Sequence, residues 1–167
     1  MTHLGPEPLS RGFTVAVLQA QLARHRSAPI KAALLDQATI AGIGNIYADE
    51  CLHTAGIDPR QATASLTGAQ IRRLHKAIRT VLCKAFEHGG TSFAAYVNEA
   101  RHRDTFLAHA RLFGRQGQPC IVCGTTIERM HVAGRGTNYC PHCQRINGGD
   151  GAAATAKAGA SATVASN

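Results

Sequence analysis

Pro119-Cys-Ile-Val-Cys-Gly124 and Cys140-Pro-His-Cys-Gln144 decide how this chain is read. Each is a turn carrying two cysteines with two residues between them, and 16 residues separate the pairs. At that spacing both sulfurs of a turn face one centre, and two such turns complete a tetrahedron around zinc at a Zn–S distance of about 2.3 Å. Thiolates from Cys120, Cys123, Cys140 and Cys143 close the shell, so the expected cofactor is one structural Zn2+ with no open position for catalysis. Two disulfides or redox pairs are the alternative. The N-terminus, MTHLGPEPLS, carries no basic-then-apolar signal pattern, which favours the metal. His142, between two of the ligands, is expected to be exposed and no fifth ligand.

Between the knuckles the sequence reads as a β-hairpin. Thr125 to Val132 mixes β-branched and polar residues, Ala133-Gly134-Arg135-Gly136 is the expected turn, and Thr137-Asn138-Tyr139 returns to Cys140. An arginine between glycines at a hairpin tip presents its guanidinium with little hindrance. It is a candidate contact, and equally an ordinary exposed turn residue.

Upstream, the chain reads as helices. Thr14 can cap a helix whose apolar positions Val15, Leu18 and Leu22 follow the 3.6-residue period. A second helix is expected from Pro29 to Gln37. Ala38 to Gly44 is too glycine-punctuated to continue it, and Asn45 is expected to cap a third helix that Gly56 ends. The longest helix starts near Thr67 and stops at Gly89-Gly90, with Ile71, Leu74, Ile78, Val81, Leu82 and Ala85 as its apolar stripe. Cys51 and Cys83 fall within helical patterns and read as small buried hydrophobes. Two helices joined by a glycine-bearing turn resemble a helix-turn-helix variant. The start of the third helix, at Gly44-Asn45, offers unpaired backbone N–H groups and partial positive charge, a phosphate site in principle and an ordinary helical corner otherwise.

Composition agrees with an anionic partner without proving one. Lysine plus arginine number 18 against 10 acids, and 14 of the 18 are arginine, whose planar fork suits phosphate. Bound zinc with its four thiolates lowers the formal +8 to +6. Residues 60–84 carry six cations and no acid, and residues 101–147 carry seven against Asp104 and Glu128. A length of 167 residues suits one domain or two small ones, and no apolar stretch approaches the roughly 18–20 residues of a membrane span. An intracellular protein without a membrane partner is expected.

Several motifs then occur in a fixed order. They are Leu4-Gly-Pro-Glu-Pro-Leu9, Lys31-x3-Leu-Asp-Gln37, Ala41-Gly-Ile-Gly-Asn-Ile-Tyr-Ala-Asp-Glu50, Gly89-Gly-Thr-Ser92 and Gly114-Arg115-x-Gly-x-Pro-Cys120, followed by Ile127-Glu-Arg129, Gly134-Arg135-x-Thr137 and Cys140-Pro-x-Cys-Gln144. Over about residues 4–145 this set resembles the C-terminal half of formamidopyrimidine-DNA glycosylase and the related endonuclease VIII. The resemblance implies a mainly α fold, a helix-two-turn-helix domain over 1–112 followed by a small four-cysteine zinc-ribbon hairpin over 113–147. A low-complexity tail, 148–167, is expected to be disordered. It further implies a DNA partner gripped around an extruded nucleotide. Asn45 and Arg135 match residues that contact phosphate beside the lesion, with Gly44 at the same helix start. Lys31 matches a lysine entering the motif, and Thr91 and Ser92 match a loop near the flipped base.

The chemistry of that family resides in an N-terminal β-sandwich domain beginning Pro-Glu, where the proline amine attacks the sugar. This chain begins Met1-Thr2-His3, and Pro6-Glu7 is internal, so its nitrogen is a non-nucleophilic amide. Departures also occur at Arg11-Gly12, at Ala100 to Asp104 and at Gly136. The expected function is therefore a DNA-binding module of base-excision repair without glycosylase activity alone. The alternative is a glycosylase or abasic-site lyase, acting weakly through an ordinary amine or with a catalytic half supplied by a separate partner.

Overall fold

In the computed structural model, residues 4–89 and 110–146 are described. Helices α1 (Val15–Leu22), α2 (Ile30–Leu35), α3 (Asn45–Ala55) and α4 (Gly68–Gly89) precede a hairpin of β1 (Glu128–Val132) and β2 (Arg135–Tyr139). The fold is mainly helical with a two-stranded antiparallel sheet, as the sequence implied. Thr91 and Ser92, the basic segment around Arg101, and the tail lie outside the described residues.

Local chemistry sets most helix ends. Thr14 Oγ1 accepts the Val17 N–H at 3.2 Å and caps α1. Thr67 and Gln70 cap α4 reciprocally, Thr67 Oγ1 accepting from Gln70 N at 3.1 Å and Gln70 Oε1 from Thr67 N at 3.0 Å. Gly56 ends α3 at φ +74°, a left-handed conformation in which any side chain would be strained. Helix α2 stops at Leu35, short of Gln37. Asp36 turns extended, its Oδ1 accepts the Ala38 N–H at 2.9 Å, and Gln37 spends its side chain on the following loop.

That loop delivers α3. Gln37 Oε1 accepts from Gly42 N at 2.7 Å while its Nε2 donates to the Ile43 carbonyl at 3.1 Å. The start of α3 differs from the expectation in one respect: Gly44 is the cap residue, and Asn45 is the first residue of the helix. The Asn45 side chain is turned to another partner, described below.

The helices share one core, in which Leu18, Ile30, Leu34, Ile43, Leu52, Leu74 and Ile78 are fully buried. A separate small cluster of Leu112, Ile127, Cys120 and Cys140 sits under the hairpin. Cys51 is buried as expected, but Cys83 is exposed, because its place on α4 falls off the stripe of Leu74, Ile78 and Leu82. No helix among the described residues is long and apolar enough to cross a membrane.

Candidate nucleic-acid interface and metal centre

The four knuckle sulfurs all lie within 4.8 Å of one another. Cys120 and Cys143 are 3.8 Å apart, and Cys123 lies 3.5 Å from both Cys140 and Cys143. A disulfide needs about 2.05 Å. A tetrahedron with Zn–S of about 2.3 Å has edges of about 3.8 Å, so the cluster suits a single structural zinc ion. Backbone N–H groups already point at the sulfurs, Val122 N at 3.3 Å from Cys120 Sγ and Cys143 N at 3.4 Å from Cys140 Sγ. Such donors disperse thiolate charge, which a four-sulfur site needs.

The hairpin turn is tighter than expected. Val132 pairs with Arg135, so the loop is only Ala133-Gly134, at φ +53° and +78°. Both residues have the positive φ of a two-residue primed turn, whose twist matches the strands. Arg135 is thus the first residue of β2 and not a turn residue. It remains exposed, and its guanidinium forms no hydrogen bond or ion pair with the described residues.

Behind Arg135 the sequence-predicted residues converge. Asn45 Nδ2 donates to the Gly136 carbonyl at 3.1 Å. Lys31 Nζ donates to the same carbonyl at 3.1 Å and to Thr137 Oγ1 at 2.6 Å. Lys31 is completely buried, and its ammonium also pairs with Asp49 Oδ1 at 2.8 Å. It occupies the interior of the site, with its donors spent on protein, and acts here as the strut beneath Arg135. Gly44 is exposed at the head of α3 with open space around its Cα. At Gly136 the Arg129 guanidinium occupies the place a Cβ would take, so a side chain there would require Arg129 to move aside.

The sequence reading missed the residues that seat the hairpin on α3. Asp49 Oδ2 accepts the Asn138 N–H at 3.2 Å. Glu50 accepts three backbone N–H groups, from Arg111 at 2.9 Å, Leu112 at 2.8 Å and Phe113 at 3.3 Å. Asn138 Nδ2 donates to the Leu112 carbonyl at 3.0 Å, and Gln144 Nε2 to the Ile57 carbonyl at 3.0 Å. His53 Nε2 lies 3.4 Å from Cys120 Sγ. Asn45, Asp49 and His53 are four residues apart along α3 and so share one face. That spacing of polar residues is the signal by which they could have been found.

Burial dominates the electrostatics. It pulls the Lys31 ammonium below its ordinary value, against Asp49, while Arg135 and Arg129 add repulsion. Burial likewise raises Asp49, against the attraction of Lys31 and the Asn138 N–H. Glu50 is raised by burial, opposed by its three backbone donors. Burial lowers the His53 imidazole to about 4, with the charge of Arg111 adding to it. A cleft of about 360 Å³ opens between the head of α3 and the hairpin, bordered by Asn45, Phe113, Gln116, Arg129 and Asn138.

Comparison with known proteins covers both parts of this arrangement. Residues 4–97 match the formamidopyrimidine-DNA glycosylase H2TH domain, and residues 117–146 match the zinc finger found in that glycosylase and in IleRS. The formamidopyrimidine-DNA glycosylase of Thermosynechococcus vestitus is 47% identical over 147 residues, which is 88% of this chain and 51% of the relative. That of Symbiobacterium thermophilum is 50% identical over 147 residues, covering 87% and 48%. Among solved structures, the MutM (Fpg) protein of Thermus thermophilus superposes with a TM-score of 0.72 at 42% identity, over 85% of this chain and 54% of that one. The Lactococcus lactis enzyme, non-covalently bound to DNA containing an AP site, gives 0.72 at 35% identity over 85% and 50%. The chain spans about half the length of the curated relatives it matches.

Proposed function

We propose, from the premise that this chain belongs to the formamidopyrimidine-DNA glycosylase family, that it grips duplex DNA through phosphates, using Arg135, Asn45 and the backbone at Gly44. The observation that carries the reading is the meeting of Asn45 and Lys31 on one carbonyl, that of Gly136, immediately beside the exposed Arg135. Two segments far apart in sequence are thereby fixed relative to each other, and both present positive potential. The head of α3 offers backbone N–H groups and the partial charge of an 11-residue helix, and Arg135 offers a guanidinium fork.

In this proposal Lys31 is a positioning residue. Its ammonium fixes the hairpin, and its buried charge adds to the field at Arg135. The helical part and the ribbon divide near residues 112 and 113, and the partner is DNA with or without a lesion, met inside the cell. Base excision is assigned to none of the described residues, and these 167 residues bind without cutting. The family resemblance supports this, since it puts the nucleophilic proline in a domain outside the matched half.

The test is a side-by-side assay of the full chain on abasic, oxidised and undamaged duplexes, scoring both binding and cleavage. Binding to all three without strand cleavage, and no borohydride-trapped adduct on the abasic duplex, is the expected result. A covalent adduct would replace this reading with that of a lyase.

A further inference from the structure

The metal centre has one contact from outside the ribbon that its spacing does not require. His53 belongs to α3, is 4% exposed, and places Nε2 at 3.4 Å from Cys120 Sγ, 67 residues further along the chain. Its other ring nitrogen, Nδ1, is buried and has no hydrogen-bond partner. That asymmetry fixes the tautomer. With the proton on Nδ1, a buried N–H would be orphaned and the Nε2 lone pair would face a thiolate, two unfavourable contacts at once. With the proton on Nε2, the ring donates to sulfur and leaves only an acceptor nitrogen unpaired, the cheaper defect.

We propose that His53 is an outer-shell ligand of the zinc site, donating Nε2–H to the Cys120 thiolate and so bolting the metal cluster to the helix that carries Asn45. Cys120 Sγ then accepts two hydrogen bonds, one from the Val122 N–H within its own knuckle and one from a separate element. Each withdraws negative charge from a sulfur that shares the cluster with three other thiolates, which favours metal retention. Neighbouring contacts fix the end of α3 against the second knuckle. Just beyond α3, a Cβ on Gly56 would sit 3.4 Å from the Cys143 carbonyl, and Gln144 reaches from the second knuckle to Ile57. The end of α3 therefore touches both knuckles, and His53 is its contact to the ligand itself. The inference concerns zinc retention and stands apart from the DNA-binding reading.

The unmutated full chain loaded with 113Cd gives the direct test. A 1H–113Cd correlation to the His53 Nε2 proton, transmitted through the sulfur, is expected, with 15N shifts of the ring reporting the Nε2–H tautomer. Protonation on Nδ1, or no coupling to the His53 proton while backbone N–H couplings are seen, overturns the proposal. A second measurement uses His53→Phe, which keeps a planar ring and removes the donor, and His53→Gln, which restores a donor. Competition against a chromogenic chelator should show zinc affinity falling about 10–100-fold in His53→Phe, the usual effect of losing an outer-shell partner. Most of that loss should be recovered in His53→Gln. In the cobalt-loaded proteins the sulfur-to-metal charge-transfer band should move to lower energy in His53→Phe. An unmoved band would contradict the hydrogen bond even if affinity fell, because packing loss alone would not shift it.

Discussion

Asn45 on α3 and Gly136 on β2 are 91 residues apart in sequence and joined by a hydrogen bond of 3.1 Å, and the carbonyl that Asn45 engages also accepts from Lys31. The bond makes the head of a helix and the tip of a zinc ribbon one surface. Asn45 thus has a structural task besides any contact of its own, and its side chain is not free to cap its helix. Asp49 and His53, on the same face of α3, extend the attachment toward the metal.

The Lys31–Asp49 pair should be costly to break from one side. Both groups are buried, so Lys31→Met leaves the Asp49 carboxylate without its counter-charge and Thr137 Oγ1 without its donor, while the Gly136 carbonyl keeps its bond from Asn45. Urea denaturation should show a loss of about 3–5 kcal/mol, with much of it recovered in Lys31→Met/Asp49→Leu. A double variant no more stable than the single one would show that the polar contacts, and not the stranded charge, set the cost.

Glu50 should make stability depend on pH in a defined direction. Burial raises its folded carboxyl above the ordinary value near 4.5, so just above that pH the native state holds more protons than the unfolded chain. This contribution therefore falls as pH rises through the folded value, with a slope of at most about 1.4 kcal/mol per pH unit. Glu50→Gln has no such proton. The stability difference between wild type and variant, followed by urea unfolding upward from pH 4.5, should change with this sign and level off once the pH has passed the folded value. A flat difference would contradict the assignment.

Ala133 holds φ +53° in the hairpin turn, a conformation that costs an L-residue energy and suits asparagine or glycine better. Ala133→Asn should stabilise the zinc-loaded protein by up to about 1 kcal/mol, read from thermal unfolding, and should leave the turn in place. A lower melting temperature would argue against the primed turn.

What was legible in the sequence was what is local. Thr14, Gly56 and the Thr67 start of α4 act within one helical turn, and the four cysteines are fixed by spacing. The tight turn was misread because alanine is a poor signal for positive φ. The capping role expected of Asn45 failed because a longer-range partner competes for its side chain. Buried Lys31, Asp49, Glu50 and His53 look like ordinary helix-surface residues until distant partners are brought against them, 106 positions away for Lys31–Thr137 and 61 for Glu50–Arg111. Cys83 shows the converse, an apolar-looking residue one step off the buried stripe.

Zinc should be present at about one ion per chain by elemental analysis. The ribbon's own core is only Leu112, Ile127 and two cysteines, too little to hold a fold without metal. Chelation should leave the helical far-UV signal of the larger core intact while the Asn138 and Tyr139 amides lose protection from hydrogen exchange. Helices that melt together with the ribbon would show that the two are one cooperative unit.

The most direct test of the phosphate grip is the salt dependence of duplex binding by wild type and Arg135→Ala. If Arg135 neutralises a phosphate, the variant should bind more weakly at every salt concentration. The slope of log affinity against log salt should also be shallower by about 0.9. Equal affinity and equal slope in the two proteins would contradict the account.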